Sequence, residues 1–353
     1  MPTTRPPAVA GLFYPADPLQ LARDVRQFLA EARPHDLAPN GHGRDAVSDD
    51  ETRHARFPLP NPLPHESPLS NSLPQAGERT NVKDNLQFSG EGAKIPSPQS
   101  SPASGRGGER EKPLSISESL RKFHIKALIA PHAGYIYSGA IAATAYATLK
   151  PVAARIRRVV LLGPTHRVAV RGLALPGAEA FATPLGIVQV DLAAAQAIAH
   201  LPQVMVSAQA HAQEHSLEVQ LPFLQSVLPD FKLLPLAVGM ATPEEVAEVL
   251  ETLWGDEETL IVISSDLSHF LPYATAQRVD HDTVQAILRL RQPIDHDHAC
   301  GGTPVNGLIV AAQQHHLTPH LLDLRNSGDT AGSYDQVVGY AALAFTEEMK
   351  NEH

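Results

Sequence analysis

Four short runs of the chain are apolar almost without interruption: "KALIA" from Lys126, "RRVVLLG" ending at Gly163, "FKLLPLAVG" from Phe231 and "TLIVISSD" from Thr259. Runs of this length, bounded by charged or turn residues, predict buried strands. Between them the period changes. Leu21, Val25, Phe28 and Leu29 fall on one face of a helix, with Asp17 as its cap and Pro18 in its first turn. "TPEEVAEVLETLW" carries Thr242 as cap, Pro243 at the first position and Glu245 at the third, the pattern of a capping box. "DLAAAQAIAH" reads as a helix capped by Asp191, and "GAIAATAYATLKPVAA" as a helix of small residues suited to close packing. "LEVQLPFLQSVL" has helical spacing but holds Pro222 in its interior. "GLALPG" and "GIVQV" suggest strands around the turn "ATPLG", and "HLLDLRNSGD" and "QVVGYAALAF" two late strands. This alternation predicts an α/β fold with a mixed central β-sheet flanked by helices.

Residues 34–122 break the pattern. They hold 12 of the chain's 31 prolines and two aromatic residues, Phe57 and Phe88, so few apolar side chains remain to offset the entropy of ordering them. The expectation is one α/β domain spanning residues 1–353, with 34–122 a flexible, Pro- and Gly-rich insertion within it. A proline-rich docking segment is the alternative.

Composition then narrows the function. A formal charge of -10 and a pI of about 6.0 disfavour a general nucleic-acid binder. No apolar run is long enough to span a bilayer and the N-terminus lacks a signal-peptide pattern, so the expected setting is cytoplasmic, without membrane. A single cysteine, Cys300, excludes an internal disulfide. Eighteen histidines is a high number, but a count alone does not define a site.

Position is more informative. Several of the apolar runs lead into a polar turn carrying a histidine: "APHAGY" with His132 and Tyr135, "GPTH" with Thr165 and His166, and "SSDLSHF" with Asp266 and His269. Strand-end loops are common functional positions in α/β folds. Each histidine could bind a ligand or satisfy local turn groups. Asp266 could fix a histidine tautomer or cap a turn, and His269 could bind metal or move a proton. Cys300, in "HACGGTPVNG", could ligate copper, iron or zinc as a thiolate, or be an inert small side chain. Asn306 could cap or orient that loop. "EHSLEVQLPF" puts Glu214, His215 and Glu218 at spacings that share a face if helical, lining an acidic pocket or facing solvent. A Ser-His-Asp hydrolase is a weaker alternative, because no nucleophile elbow is present, and the HExxH spacing of zinc peptidases is missing.

The ordered set "PHAGYIYSG", "LLGPTH", "EHSLEVQLPF", "SSDLSHF" and "CGGTPV", with the N-terminal "AGLFYPAD", resembles the Memo family, also called AmmeMemoRadiSam system protein B. The resemblance covers the N-terminal segment and residues 126 to 346. It implies a fold similar to class III non-haem extradiol dioxygenases, with the pocket at strand ends. It also implies a metal site of His132, His166 and Cys300, with His269 as a further ligand or base, and Asp266, Glu214 and His215 around it. The dioxygenases use a carboxylate where Cys300 stands. A thiolate is softer, which favours iron or copper and tolerates zinc, and it can itself be oxidised. The resemblance therefore implies one metal ion and metal-dependent redox chemistry on an unknown small molecule or peptide, linked to radical-SAM and AMMECR-type proteins. The alternatives are a non-enzymatic metal-binding or scaffold protein, and metal-independent binding of a peptide or small anion.

Overall fold

In the computed structural model, which describes residues 3–33 and 123–348, the chain opens with β1 (Thr4–Arg5), α1 (Pro18–Glu31), β2 (Phe123–Ala130) and α2 (Tyr135–Ala147). Then follow β3 (Arg158–Pro164), β4 (Leu173–Leu175), β5 (Ala180–Thr183), β6 (Gly186–Gln189), α3 (Leu192–Ile198), β7 (Val204–Val206) and α4 (Ala208–Ala212). After these come α5 (Leu221–Val227), β8 (Lys232–Val238), α6 (Pro243–Thr252), β9 (Thr259–Ser264) and β10 (His269–Leu271). The chain closes with α7 (Tyr273–Leu288), α8 (Gly302–Gln314), β11 (Thr318–Asn326) and β12 (Val337–Glu348). The expectation for 34–122 falls outside the described residues.

The fold is a mixed central β-sheet flanked by helices. Among the described residues, nine strands form the sheet, along the path β10-β12-β2-β9-β3-β8-β4-β7, with β11 paired to β12. Its centre is parallel: β2 with β9, β9 with β3 and β3 with β8. The late strands β11 and β12 run antiparallel, as do β12 and β2, giving the mixed direction expected at that end. The four parallel strands β2, β3, β8 and β9 explain why the apolar runs show no alternation of polar residues. Leu128, Val159, Leu161, Leu233 and Val262 face one core with Ile141 and Tyr146 of α2 and Phe223 of α5. Ala127, Ile129, Val160, Leu162, Leu234 and Ile261 face a second core with Val249 and Leu250 of α6 and Leu308 of α8. Successive residues alternate faces with period two, and both faces are covered.

Capping behaves as the sequence predicts. Asp17 accepts from the Gln20 amide, Asp191 from that of Ala194, and Thr242 and Glu245 form a reciprocal capping box. The segment around Pro222 differs from a single helix. A 3₁₀ turn, Glu218–Gln220, precedes α5, so Pro222 falls in the first turn, where its missing N–H costs nothing. The long helices α7 and α8 have no counterpart among the sequence expectations. α8 begins at Gly302, the second glycine of the pair behind Cys300. No helix among the described residues is long and apolar enough to cross a membrane.

Candidate metal centre

Because β2, β9 and β3 are adjacent and parallel, their C-terminal ends emerge on one edge of the sheet. Ala130 pairs with Ser264, and Leu162 with Ile263, so the loops carrying His132, Asp266 and His166 leave the sheet at nearly one level. This is the strand-end crevice where open α/β sheets place ligands. Two glycines let further segments close on it. A Cβ on Gly163 would lie 2.7 Å from Ser216 Oγ, so only glycine lets the 214–217 segment reach the end of β3. A Cβ on Gly301 would lie 2.6 Å from the Ser265 Cβ, so Cys300 reaches the end of β9 for the same reason. The Gly301 amide donates to Ser265 Oγ at 3.0 Å, and the Cys300 amide to the Asp266 carbonyl at 3.3 Å.

The result is a cluster of imidazoles. One ring nitrogen each of His132, His166 and His215 lie within 4.8 Å of one another. Ring centroids are 5.2 Å apart for His132 and His166, 5.5 Å for His132 and His215, and 4.7 Å for the stacked pair His166 and His215. Cys300 Sγ sits 3.2 Å from His132 Nε2. His132 is buried, His215 half-buried and His166 open to solvent, so the cluster has a closed floor and an accessible side.

Glu214 organises the exposed wall. Its carboxylate accepts from His166 Nδ1 at 2.9 Å, from the His166 amide at 2.6 Å, and from the amides of His215 and Ser216 at 2.9 Å. Burial alone would raise its pKa, but the bonds and charge of His166, with these amides, outweigh that and hold Glu214 at about 2. An ionised carboxylate only accepts, so His166 carries a hydrogen on Nδ1, which leaves Nε2 as the nitrogen it can offer a metal. Burial, reinforced by His166 and Arg167 against the attraction of Glu214, lowers His215 to about 4. Burial also pushes His132 well below the ordinary imidazole range, helped by the other rings. The Cys300 thiol is raised to about 12 by burial and by the charge of Asp266. Metal-free at neutral pH, the centre therefore holds neutral His132 and His215 rings and a protonated thiol. Neutral imidazoles are competent ligands as they stand, whereas the thiol must lose a proton to become one. The mixed nitrogen and sulfur donors fit a borderline-soft transition metal and do not fit magnesium or calcium.

The other expected site residues lie as follows. Asp266 is buried at the floor, where its carboxylate accepts from the His132 amide at 2.7 Å. Burial raises it to about 7, opposed by that bond. His269 lies outside the three-nitrogen cluster. It sits in β10 beside Phe270, whose φ of 56° and the register shift around it mark a bulge at the rim. Thr165 donates its amide to the Val238 carbonyl, ending β3. Glu214 and Glu218 do not share a helical face, because 214–217 is not helical and the two side chains part. Glu218 is fully buried and binds the N-terminal segment through Arg5, the Tyr14 hydroxyl and the amides of Ala8 and Val9. It does not line an acidic pocket. Tyr135 is likewise a core residue, buried against Tyr14 and Phe223 with its hydroxyl donating to the Val219 carbonyl. Asn306 orients the loop before Cys300 by exchanging two hydrogen bonds with the Ile294 backbone. Two contributors went unread in the sequence: Phe13, whose ring lies 4.5 Å from that of His215, and Gln220, buried inside an otherwise apolar segment. The polarity of Gln220 between Val219 and Leu221 was the available signal.

An α/β sheet whose parallel strand ends gather histidines and one cysteine defines a protein class with a candidate metal centre. The Memo-like protein family model matches residues 111–344, and the chain belongs to that family. A MEMO1 family protein of Aquifex aeolicus is 36% identical over 240 residues, covering 65% of this chain and 88% of the relative. One from Methanopyrus kandleri is 37% identical over 235 residues, covering 62% and 82%. The uncharacterized protein JW3007 of Escherichia coli K12 aligns at a TM-score of 0.38 with 17% identity, over 62% of this chain and 99% of that one.

Proposed function

We propose that this chain binds one iron or copper ion, with zinc as a tolerated substitute, on His132, His166 and Cys300, and serves as a metal-dependent oxidoreductase. The observation that supports it most is the approach of a thiol to within 3.2 Å of a buried imidazole Nε2, beside a second imidazole held by an ionised carboxylate. His215 faces the same point and is the competing third ligand. A bound ion of this kind would supply redox and Lewis-acid chemistry. The chain's own contribution is to exclude water from the floor through His132 and Asp266, and to leave the His166 side open to a small molecule or peptide. Asp266, with its carboxyl raised to about 7, and His269 at the rim are the groups suited to hold or pass a proton there. Functional association with radical-SAM and AMMECR-type proteins belongs to this reading, as does a cytoplasmic setting with 34–122 as an insertion within a single domain.

Anaerobic titration of the metal-free protein with Fe(II) and Cu(I) at about pH 8, where ordinary imidazoles are neutral, tests the site. The expected result is tight binding with release of one proton per ion from the Cys300 thiol. Cys300→Ser should weaken binding and change the metal spectrum, and His215→Ala should do neither. Unchanged binding and spectrum in Cys300→Ser, with loss in His215→Ala, would replace the proposed set with three imidazoles. Failure of either ion to bind the wild-type protein would sink the proposal.

A further inference from the structure

Beneath His132 runs a chain of buried polar side chains. The Tyr146 hydroxyl lies 2.8 Å from Gln220 Oε1. Gln220 Nε2 lies 2.9 Å from the Pro131 carbonyl and 2.8 Å from Ser264 Oγ. Ser264 Oγ lies 2.5 Å from the Ser216 carbonyl and 2.9 Å from His132 Nδ1. Tyr146, Gln220 and Ser264 are fully buried and His132 nearly so, so water supplies no alternative partner.

Two backbone carbonyls, which can only accept, fix every hydrogen in this chain. The end of Gln220 that meets Pro131 must be its NH₂. Its oxygen therefore faces Tyr146, and the phenol donates. The single hydrogen of Ser264 must point to the Ser216 carbonyl. Towards Gln220 and towards His132 the hydroxyl can then only accept. His132 must carry a hydrogen on Nδ1, because otherwise two lone pairs would face each other at 2.9 Å in a dry interior. In a neutral ring Nε2 is then bare, and the Cys300 thiol 3.2 Å away can donate to it.

We infer that Ser264 and Gln220 are positioning residues that lock His132 in its Nδ1–H tautomer before any ligand arrives, holding the Nε2 lone pair towards the centre. The hydrogen on Nδ1 follows from the hydrogen bonds alone. Only its consequence for metal affinity rests on the metal-site reading. The two walls then differ in kind: a neutral hydroxyl stands behind His132 and an anionic carboxylate behind His166. Hydrogen bonds of this sort to the far nitrogen of a ligand typically contribute about 10–100-fold to metal affinity.

The test is long-range ¹H–¹⁵N correlation of the metal-free, full-length protein at about pH 8, with the His132 signals assigned through His132→Gln. Wild type should show His132 purely as the Nδ1–H form. Ser264→Ala should move it to the Nε2–H form or a mixture and weaken Fe(II) binding by about 10–100-fold. Tyr146→Phe should leave the tautomer unchanged, because the Pro131 carbonyl still orients Gln220. An Nε2–H or mixed signal in wild type overturns the inference, and needs no variant to fold. A pure Nδ1–H signal or unchanged Fe(II) affinity in folded Ser264→Ala overturns the positioning role. If wild type shows the Nδ1–H form but binds no metal, the metal-site reading fails and the tautomer assignment stands.

Discussion

Two buried polar assemblies sit at opposite edges of the central sheet, both fed by β2. At the edge where β9 begins, Lys126 is fully buried. Its ammonium donates to the carbonyls of Trp254, Gly255, Asp256 and Thr259 and lies 5.2 Å from the Trp254 ring centroid. At the edge where β9 ends, Nδ1 of His132 and of His166 is engaged by the protein, while among the described residues no hydrogen bond takes up Nε2 of His166 or of His215. The first assembly is closed: every donor has an acceptor, and nothing remains to offer a ligand. The second is half closed, with its backing groups satisfied and its outward nitrogens free. Burial and perturbed protonation occur in both, since burial lowers Lys126 to about 8 against the pull of nearby carboxylates. Neither property alone marks a functional site. What sets the second assembly apart is that its outward nitrogens are left without a partner among the described residues.

The largest effect should come from opening the closed assembly. Lys126→Met strands several buried carbonyls and should cost about 3–5 kcal/mol in urea unfolding. Metal affinity of the folded fraction should not change. A large loss of affinity would mean that the two edges are coupled.

His211 offers an intermediate case. Its Nε2 donates to the Ala174 carbonyl at 2.7 Å, while its Nδ1 is buried without a partner. Burial lowers it to about 4, against the bond to Ala174. The unfolded chain takes up this proton near the ordinary imidazole value and the folded chain does not. The stabilising contribution is thus complete above about pH 6.5 and is lost as pH falls towards 4, by up to about 3 kcal/mol. The stability of metal-free wild type should therefore drop relative to His211→Gln over that window. Parallel curves would show that a buried unpartnered nitrogen has no such consequence here.

Glu214→Gln sharpens the open assembly. The amide can still accept, but it loses the charge that holds His166, so Fe(II) affinity should fall by about 10–100-fold with the fold intact by circular dichroism. An unchanged affinity would remove Glu214 from the centre's organisation.

How far the sequence carries these conclusions differs by residue. His132 and His166 stand out because each closes a run of apolar residues, and that run is itself the signal of a buried strand. Asp17, Asp191 and Thr242 are equally visible, since a cap acts within three residues of itself. Glu218 and Tyr135 are core residues whose place the sequence does not reveal, because their neighbours in sequence are candidate site residues. Their partners, Arg5, Tyr14 and Phe223, come from elsewhere in the chain. Gln220 was missed because a polar residue in an apolar segment reveals nothing about which carbonyls it meets.

The sequence by itself determined the buried strands β2, β3, β8 and β9, the caps Asp17, Asp191 and Thr242 and that histidines follow strand ends, because those properties arise from interactions between near neighbours. The tertiary structure alone decided that β2, β9 and β3 lie side by side and parallel. It thereby decided that His215 joins His132 and His166, that Cys300 meets His132, and which nitrogen of each ring is held. Those outcomes depend on groups separated by tens to hundreds of residues, and their geometry is set by sheet order and by the few positions where a missing Cβ lets backbones touch.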